Sequence, residues 1–147
     1  MNNQLIDILN YIGSTLSDDE IKHASNVAMV VAGKLRDNRC HLIAFLHDIV
    51  EDGYATFEEL RQRFDLDDDQ MAALDAITRR RGEQYFNYIE RCKQNEMAKT
   101  VKLADLQDNI ERCAKDLPNR WGLIRRYAKA YGILIGAWKE NDTRRID

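Results

Sequence analysis

Residues 44–54 read AFLHDIVEDGY. Phe45, Leu46, Ile49 and Val50 recur at the spacing of a helix's buried side. Among them stand His47, Asp48, Glu51 and Asp52, three acids and an imidazole. Leaving such groups buried and unpaired costs several kcal/mol per charge. On a helix that turns about 100° per residue, these four positions project within an arc of roughly 140°. They share one side, and a divalent cation is the natural compensation for their charge. The stretch therefore predicts a helix that carries part of a metal site.

Outward from this stretch the apolar period stays helical. Leu5, Ile8, Leu9 and Ile12 mark a first amphipathic helix that Gly13 is expected to end. Ser17 and Glu20 form a capping box that opens a second helix, running to about Leu35 and carrying His23 within IKHASNVAMVV. A third helix is expected over about His41–Glu51. Thr56 and Glu59 form another capping box before FEELRQRF. Asp67 caps a helix bearing Met71, Leu74 and Ile77, so the acidic run DLDDDQ is a helix start; it lacks the spacing and glycine of a calcium loop.

A loop, TRRRGE, leads to a helix over about 84–93. Asn95 opens a long helix with the stripe Leu103, Leu106, Ile110, Cys113 and Leu117, stopped by Pro118. The last helix is expected to bury Trp121, Ile124, Ala128, Tyr131, Ile135 and Trp138. The tail from about 140 to 147 is polar and expected to fray. No strand pair, repeat or linker appears. The expectation is all-α: a single compact multi-helix domain over 1–147 with the metal site between helices.

The bulk numbers agree with that picture. A chain of 147 residues, 44% hydrophobic and 32% charged, suits one globular domain with its own core. A net charge of −3 argues against a general nucleic-acid binder. The apolar runs are too short to span a membrane, and no signal peptide opens the chain. Cys40, Cys92 and Cys113 are widely separated, odd in number and form no CxxC pair, which suits a reducing cytoplasm.

A second cluster of polar residues lies in KLADLQDNI, where Asp105, Asp108 and Asn109 fall within an arc of roughly 100°. His23 and ligand-type residues of this second cluster, drawn from different helices, could converge on the His47–Asp48 pair inside a bundle, while a lone histidine on an apolar face also reads as a satisfied core residue. Imidazole with carboxylate favours Mn²⁺, Fe²⁺ or Zn²⁺ over a thiolate-bound structural zinc. Glu51 and Asp52, one turn beyond the pair, are placed to orient water or protonate a leaving oxygen. Arg79, Arg80 and Arg81 read either as a phosphate clamp or as a solvated loop. Lys102 reads as an anion contact or a surface charge, and Tyr85 and Tyr88 as base-stacking or packing residues. Arg120, Arg125, Arg126 and Lys129 read as a solvated face.

His23, the pair His47–Asp48 and Asp105 reproduce an H…HD…D pattern, and HDIVEDG followed by AITRRRGEQYFNYIERCKQNEMAKTVKLADLQDNI is more specific. Over about residues 17–135 the chain resembles the HD superfamily of metal-dependent phosphohydrolases. Within it, the likeness is to the HD domain of bifunctional alarmone synthetase/hydrolases and their small stand-alone relatives. The resemblance implies an HD-domain bundle with His23, His47, Asp48 and Asp105 as ligands of one metal, usually Mn²⁺, with Fe²⁺ also compatible. It implies Glu51 and Asp52 as the catalytic acids and Asn109 as a nucleotide contact. The implied reaction removes the 3′-pyrophosphate of guanosine 3′,5′-bispyrophosphate (ppGpp).

One departure stands out. The family's basic loop ending GEPYIxHP, before the first metal histidine, is replaced here by TLSDDEIK, which leaves only Lys22 of its positive charge. Metal chemistry is thus better supported than the alarmone substrate. An HD nucleotidase or phosphodiesterase acting on another nucleotide, and a non-catalytic binding module, stay open. The expected partner is a small-molecule nucleotide rather than a membrane or nucleic acid, with a homodimer left open.

Overall fold

The computed structural model describes residues 3–34 and 39–138. They form helices α1 (Gln4–Thr15), α2 (Asp18–Ala32), α3 (Cys40–Leu46), α4 (Phe57–Phe64), α5 (Asp68–Ile77), α6 (Tyr85–Lys93), α7 (Glu96–Ala114) and α8 (Trp121–Leu134), with no strand among the described residues. The all-α expectation holds. The expected end of α2 at Leu35 and the tail from 140 lie outside the described residues.

Local chemistry sets most helix starts. Ser17 Oγ accepts from the Glu20 amide at 3.2 Å while the Glu20 side chain accepts from the Ser17 amide at 3.0 Å, completing the capping box. Thr56 Oγ1 accepts from the Glu59 amide at 3.2 Å, one half of the capping box expected at α4, Asp67 caps α5 in a complete box with Gln70, and Asn95 Oδ1 accepts from the Ala98 amide at 3.0 Å to open α7. Gln84 caps α6 through its side chain. The end expected at Gly13 is not observed: α1 continues to Thr15, since one glycine costs a helix only about 1 kcal/mol.

The expected third helix is shortened. α3 stops at Leu46, and His47–Gly53 follow as successive turns. The Ile49 amide reaches back only three residues to the Leu46 carbonyl, and His47 Nδ1–H donates to the Ala44 carbonyl in the last turn at 2.6 Å. A side chain thereby satisfies a carbonyl at the helix end. Gly53 closes the segment at φ 81°, a left-handed conformation open to glycine at little cost.

α7 is the central helix, packed against α2, α3, α5, α6 and α8, while α1 rests on α3 and α4. Ile8, Val27, Val31, Ile43, Leu46 and Leu74 are among the fully buried core side chains. Two expected stripes are corrected. α7 buries Ala98, Val101, Ala104, Asp105, Leu106 and Asp108, whereas Leu103, Ile110 and Cys113 are only half-buried and Leu117 lies exposed beyond the helix. α8 buries Ala130, Ile133 and Leu134, leaving Trp121 and Ala128 exposed. It ends at Leu134, so Ile135 and Trp138 lie outside it. Gly136, at φ 76°, reverses the chain so that the Trp138 amide returns to the Gly132 carbonyl at 3.0 Å.

Candidate metal centre

Four side chains converge where α2, α7 and the turns after α3 meet. One donor atom from each of His23, His47, Asp48 and Asp105 lies within 4.8 Å of the others. His23 Nε2 is 2.8 Å and His47 Nε2 is 3.2 Å from Asp105 Oδ1. Asp48 Oδ2 is 3.2 Å from His47 Nε2 and 3.7 Å from His23 Nε2. Both imidazoles thus turn Nε2 inward.

Their outer nitrogens are anchored. His23 Nδ1–H donates to Asp108 Oδ2 at 2.6 Å, and Asn26 Nδ2 donates to Asp108 Oδ1 at 3.0 Å. His47 Nδ1–H is held by the Ala44 carbonyl. Such outer partners fix the ring orientation of ligating histidines and make Nε2 the ligating nitrogen. Asp105 is held as well: Lys102 Nζ reaches its Oδ2 at 2.8 Å, and Asn109 Nδ2 donates to its Oδ1 at 3.2 Å. Two imidazole nitrogens, two carboxylates and a tied outer layer form a donor set that fits a divalent transition metal.

The electrostatics follow from crowding opposite charges in a buried place. Burial opposes charge on His47, yet the Asp48 and Asp105 carboxylates outweigh it and hold the imidazole well above its ordinary range. His23 is raised in the same way, chiefly by Asp105. Burial acts against the Asp105 carboxylate, but Lys102 and the two imidazoles hold it well below the usual range. Lys102, half-buried, is held well above its ordinary value against the cost of burial, with Asp105 the leading support.

The cluster opens into a cleft of about 350 Å³. His47, Asp48, Glu51 and Asp52 all line it, so the shared side expected of a helix is delivered by turns. Glu51 Oε1 accepts from the Arg79 amide at 3.0 Å. Burial, then the Asp48, Glu51 and Glu20 carboxylates, push Asp52 up to about 6. Asp19 and Glu20, from the first turn of α2, line the cleft too, and Tyr54 donates to the Glu20 carboxylate at 3.0 Å.

Among the described residues, Arg79, Lys102, Arg112 and Arg126 line the same cleft. Lys102, expected as an anion contact, lines the cleft and is also the ammonium partner of Asp105. Asn109 lines the cleft while also touching Asp105. Arg80, also expected at the substrate, does not line this cleft, and its guanidinium pairs with Asp75 at 3.2 Å. The loop that carries it is held by Arg91, which donates to the Asp75 and Thr78 carbonyls and to Glu83.

Sequence reasoning missed Asn26 and Arg112, placed Arg126 on a solvated face although it is half-buried and lines the cleft, and left Asp108 without a role. Asp108 and Asn26 carry a helical-spacing signal, since Asn26 follows His23 by three positions and Asp108 follows Asp105 by three. Arg126 has no such signal, because its place depends on how α8 rolls against α6 and α7. No protein-family model matches the chain, and no curated protein matches it.

Proposed function

We propose that this chain is a metal-dependent phosphohydrolase of the HD kind, hydrolysing a phosphate or pyrophosphate ester of a nucleotide, with ppGpp as the first substrate to test. The observation that carries this reading is a four-residue ligand cluster opening into a cleft that also holds acids and cations. His23, His47, Asp48 and Asp105 would hold Mn²⁺ or Fe²⁺. When bound there, such an ion supplies Lewis acidity at a phosphate oxygen and lowers the pKa of water.

The chain's own residues divide the rest of the work. Glu51, its carboxylate fixed by the Arg79 amide, orients and deprotonates the attacking water. Asp52, raised to about 6, is suited to give a proton to the leaving oxygen near neutral pH. Arg79 and the other cleft cations hold phosphate charge, as guanidinium groups do through paired N–H donors. Asn109 keeps Asp105 in position and faces the cleft where a nucleotide would lie.

The test is product analysis by ion-exchange chromatography with Mn²⁺ and a panel of ppGpp, NADPH, dNTPs and cyclic nucleotides. Release of phosphate or pyrophosphate from one of them, abolished by EDTA and by Asp105→Ala, is the expected result. Turnover of none, by protein that binds Mn²⁺ in titration, overturns the reading in favour of a binding module.

A further inference from the structure

Arg126 is half-buried, and its guanidinium carbon lies 3.7 Å from the centre of the Tyr85 ring. Arg79 approaches the same ring at 5.5 Å from a different part of the chain. Both residues and the ring line the cleft that contains the metal cluster. Nearby arginines are neutralised: Arg80 by Asp75, Arg91 by Glu83 and Arg120 by Asp116. Neither cleft guanidinium has a carboxylate partner among the described residues; Arg79 Nε donates to a neutral acceptor, the Glu83 carbonyl. Arg112, on the same cleft, has none either.

Gathering like charges on one ring is unfavourable, and the tyrosine face offsets only about 1 kcal/mol per cation. The arrangement makes sense when an anion completes it. The acidic first turn of α2, with Asp19 and Glu20, repels an anion from the other part of the lining. Charge that the TLSDDEIK segment lacks is thus supplied from α8 and the loop before α6.

We propose that Arg126, Tyr85 and Arg79 form a second anion site, which holds a phosphate or pyrophosphate group of the substrate other than the one cleaved. Its role in turnover rests on the phosphohydrolase reading above; its ability to bind an anion does not. It selects nucleotides with at least two phosphate groups over monophosphates.

The probe is inorganic pyrophosphate, titrated calorimetrically into the full chain in EDTA, so that binding through a metal is absent. R126Q is expected to weaken it roughly tenfold or more, the worth of a charged, paired hydrogen bond, with R126K recovering part. In turnover assays R126Q raises KM for a bisphosphorylated nucleotide by a similar factor, leaving kcat and Mn²⁺ affinity within about twofold. Pyrophosphate affinity unchanged in a folded R126Q protein overturns the site, even where nucleotide turnover is found. If pyrophosphate binding depends on Arg126 while no nucleotide is turned over, the site stands and the hydrolase reading falls.

Discussion

Asp108→Asn tests whether the layer outside the metal cluster matters as much as the cluster. Asp108 is 9% exposed, and its two oxygens take two different donors, His23 Nδ1–H at 2.6 Å and Asn26 Nδ2 at 3.0 Å. An amide at this position has one acceptor oxygen, so it serves one donor and turns its NH₂ against the other. His23 then loses either its anchor or the residue that steadies the anchor. Removing an outer carboxylate of this kind costs roughly 10–100-fold in metal affinity, which is about 1.4–2.7 kcal/mol. A second effect opposes it. Asp108 also helps keep His23 protonated, and a proton on Nε2 competes with metal. Asp105 leads Asp108 in that role, so the relief is the smaller effect, and measurement at pH 8 shrinks it further. Calorimetric titration of Mn²⁺ into wild type and D108N, with circular dichroism to confirm folding, is the assay. Affinities within twofold of each other would refute the reasoning and show that Asp105 and Asp48 alone aim His23.

Three further outcomes are expected. Glu51→Gln keeps an oxygen for the Arg79 amide, so Mn²⁺ affinity stays near wild type while turnover drops by about 10²–10⁴; unchanged turnover removes Glu51 from the proton chemistry. Lys102→Met leaves Asp105 buried without its ammonium partner, at a cost of about 3–5 kcal/mol, so the metal-free Tm falls on the order of 10 °C and Mn²⁺ restores much of it. An equal loss with and without Mn²⁺ would show that Lys102 only packs. The raised His23 and His47 stabilise the metal-free fold fully below about pH 6.5 and lose that contribution as pH rises through their folded values, while the lowered Asp48 and Asp105 contribute above about pH 3.9. Metal-free stability from the cluster therefore peaks between these limits, and thermal melts that climb steadily from pH 7 to 9 would contradict it.

What the sequence disclosed, and what it hid, has one cause. Helix existence followed from caps and periodicity, because Ser17, Thr56, Asp67 and Asn95 bond to amides three residues on and need nothing distant. The residues of the cluster were legible because buried imidazole and carboxylate amid apolar neighbours demand a partner. The buried face of α7 was misread for the same reason. Ala98, Val101, Asp105 and Asp108 step by three and four along one side, but two of the four are aspartates. A site built into the core inverts the hydrophobic signal at the very positions that face inward, so periodicity picks out Leu103, Ile110, Cys113 and Leu117 beside the fully buried Leu106. In α8 two neighbouring registers are both apolar, and only packing on α6 and α7 chooses Ala130 and Leu134. That choice also aims Arg126 into the cleft, which no local pattern encodes.

AFLHDIVEDGY tolerates its acids through a charge balance around the cluster that holds with and without metal. Three carboxylates, Asp48, Asp105 and Asp108, surround it. Without metal, the Lys102 ammonium and two imidazoles held protonated by these neighbours balance them. A divalent cation can ligate Nε2 only after each imidazole has lost its proton. Two positive charges then leave as protons while two arrive with the ion, and the sum is unchanged. The interior is never asked to hold net charge, so folding is expected to proceed without metal, unlike a zinc finger. The same exchange requires protons to be released as Mn²⁺ binds, approaching two per ion as pH falls below the folded values of both imidazoles. Calorimetry in buffers of different ionisation enthalpy counts them. A count near zero would mean that the imidazoles were already neutral and that Lys102 alone balances the three acids.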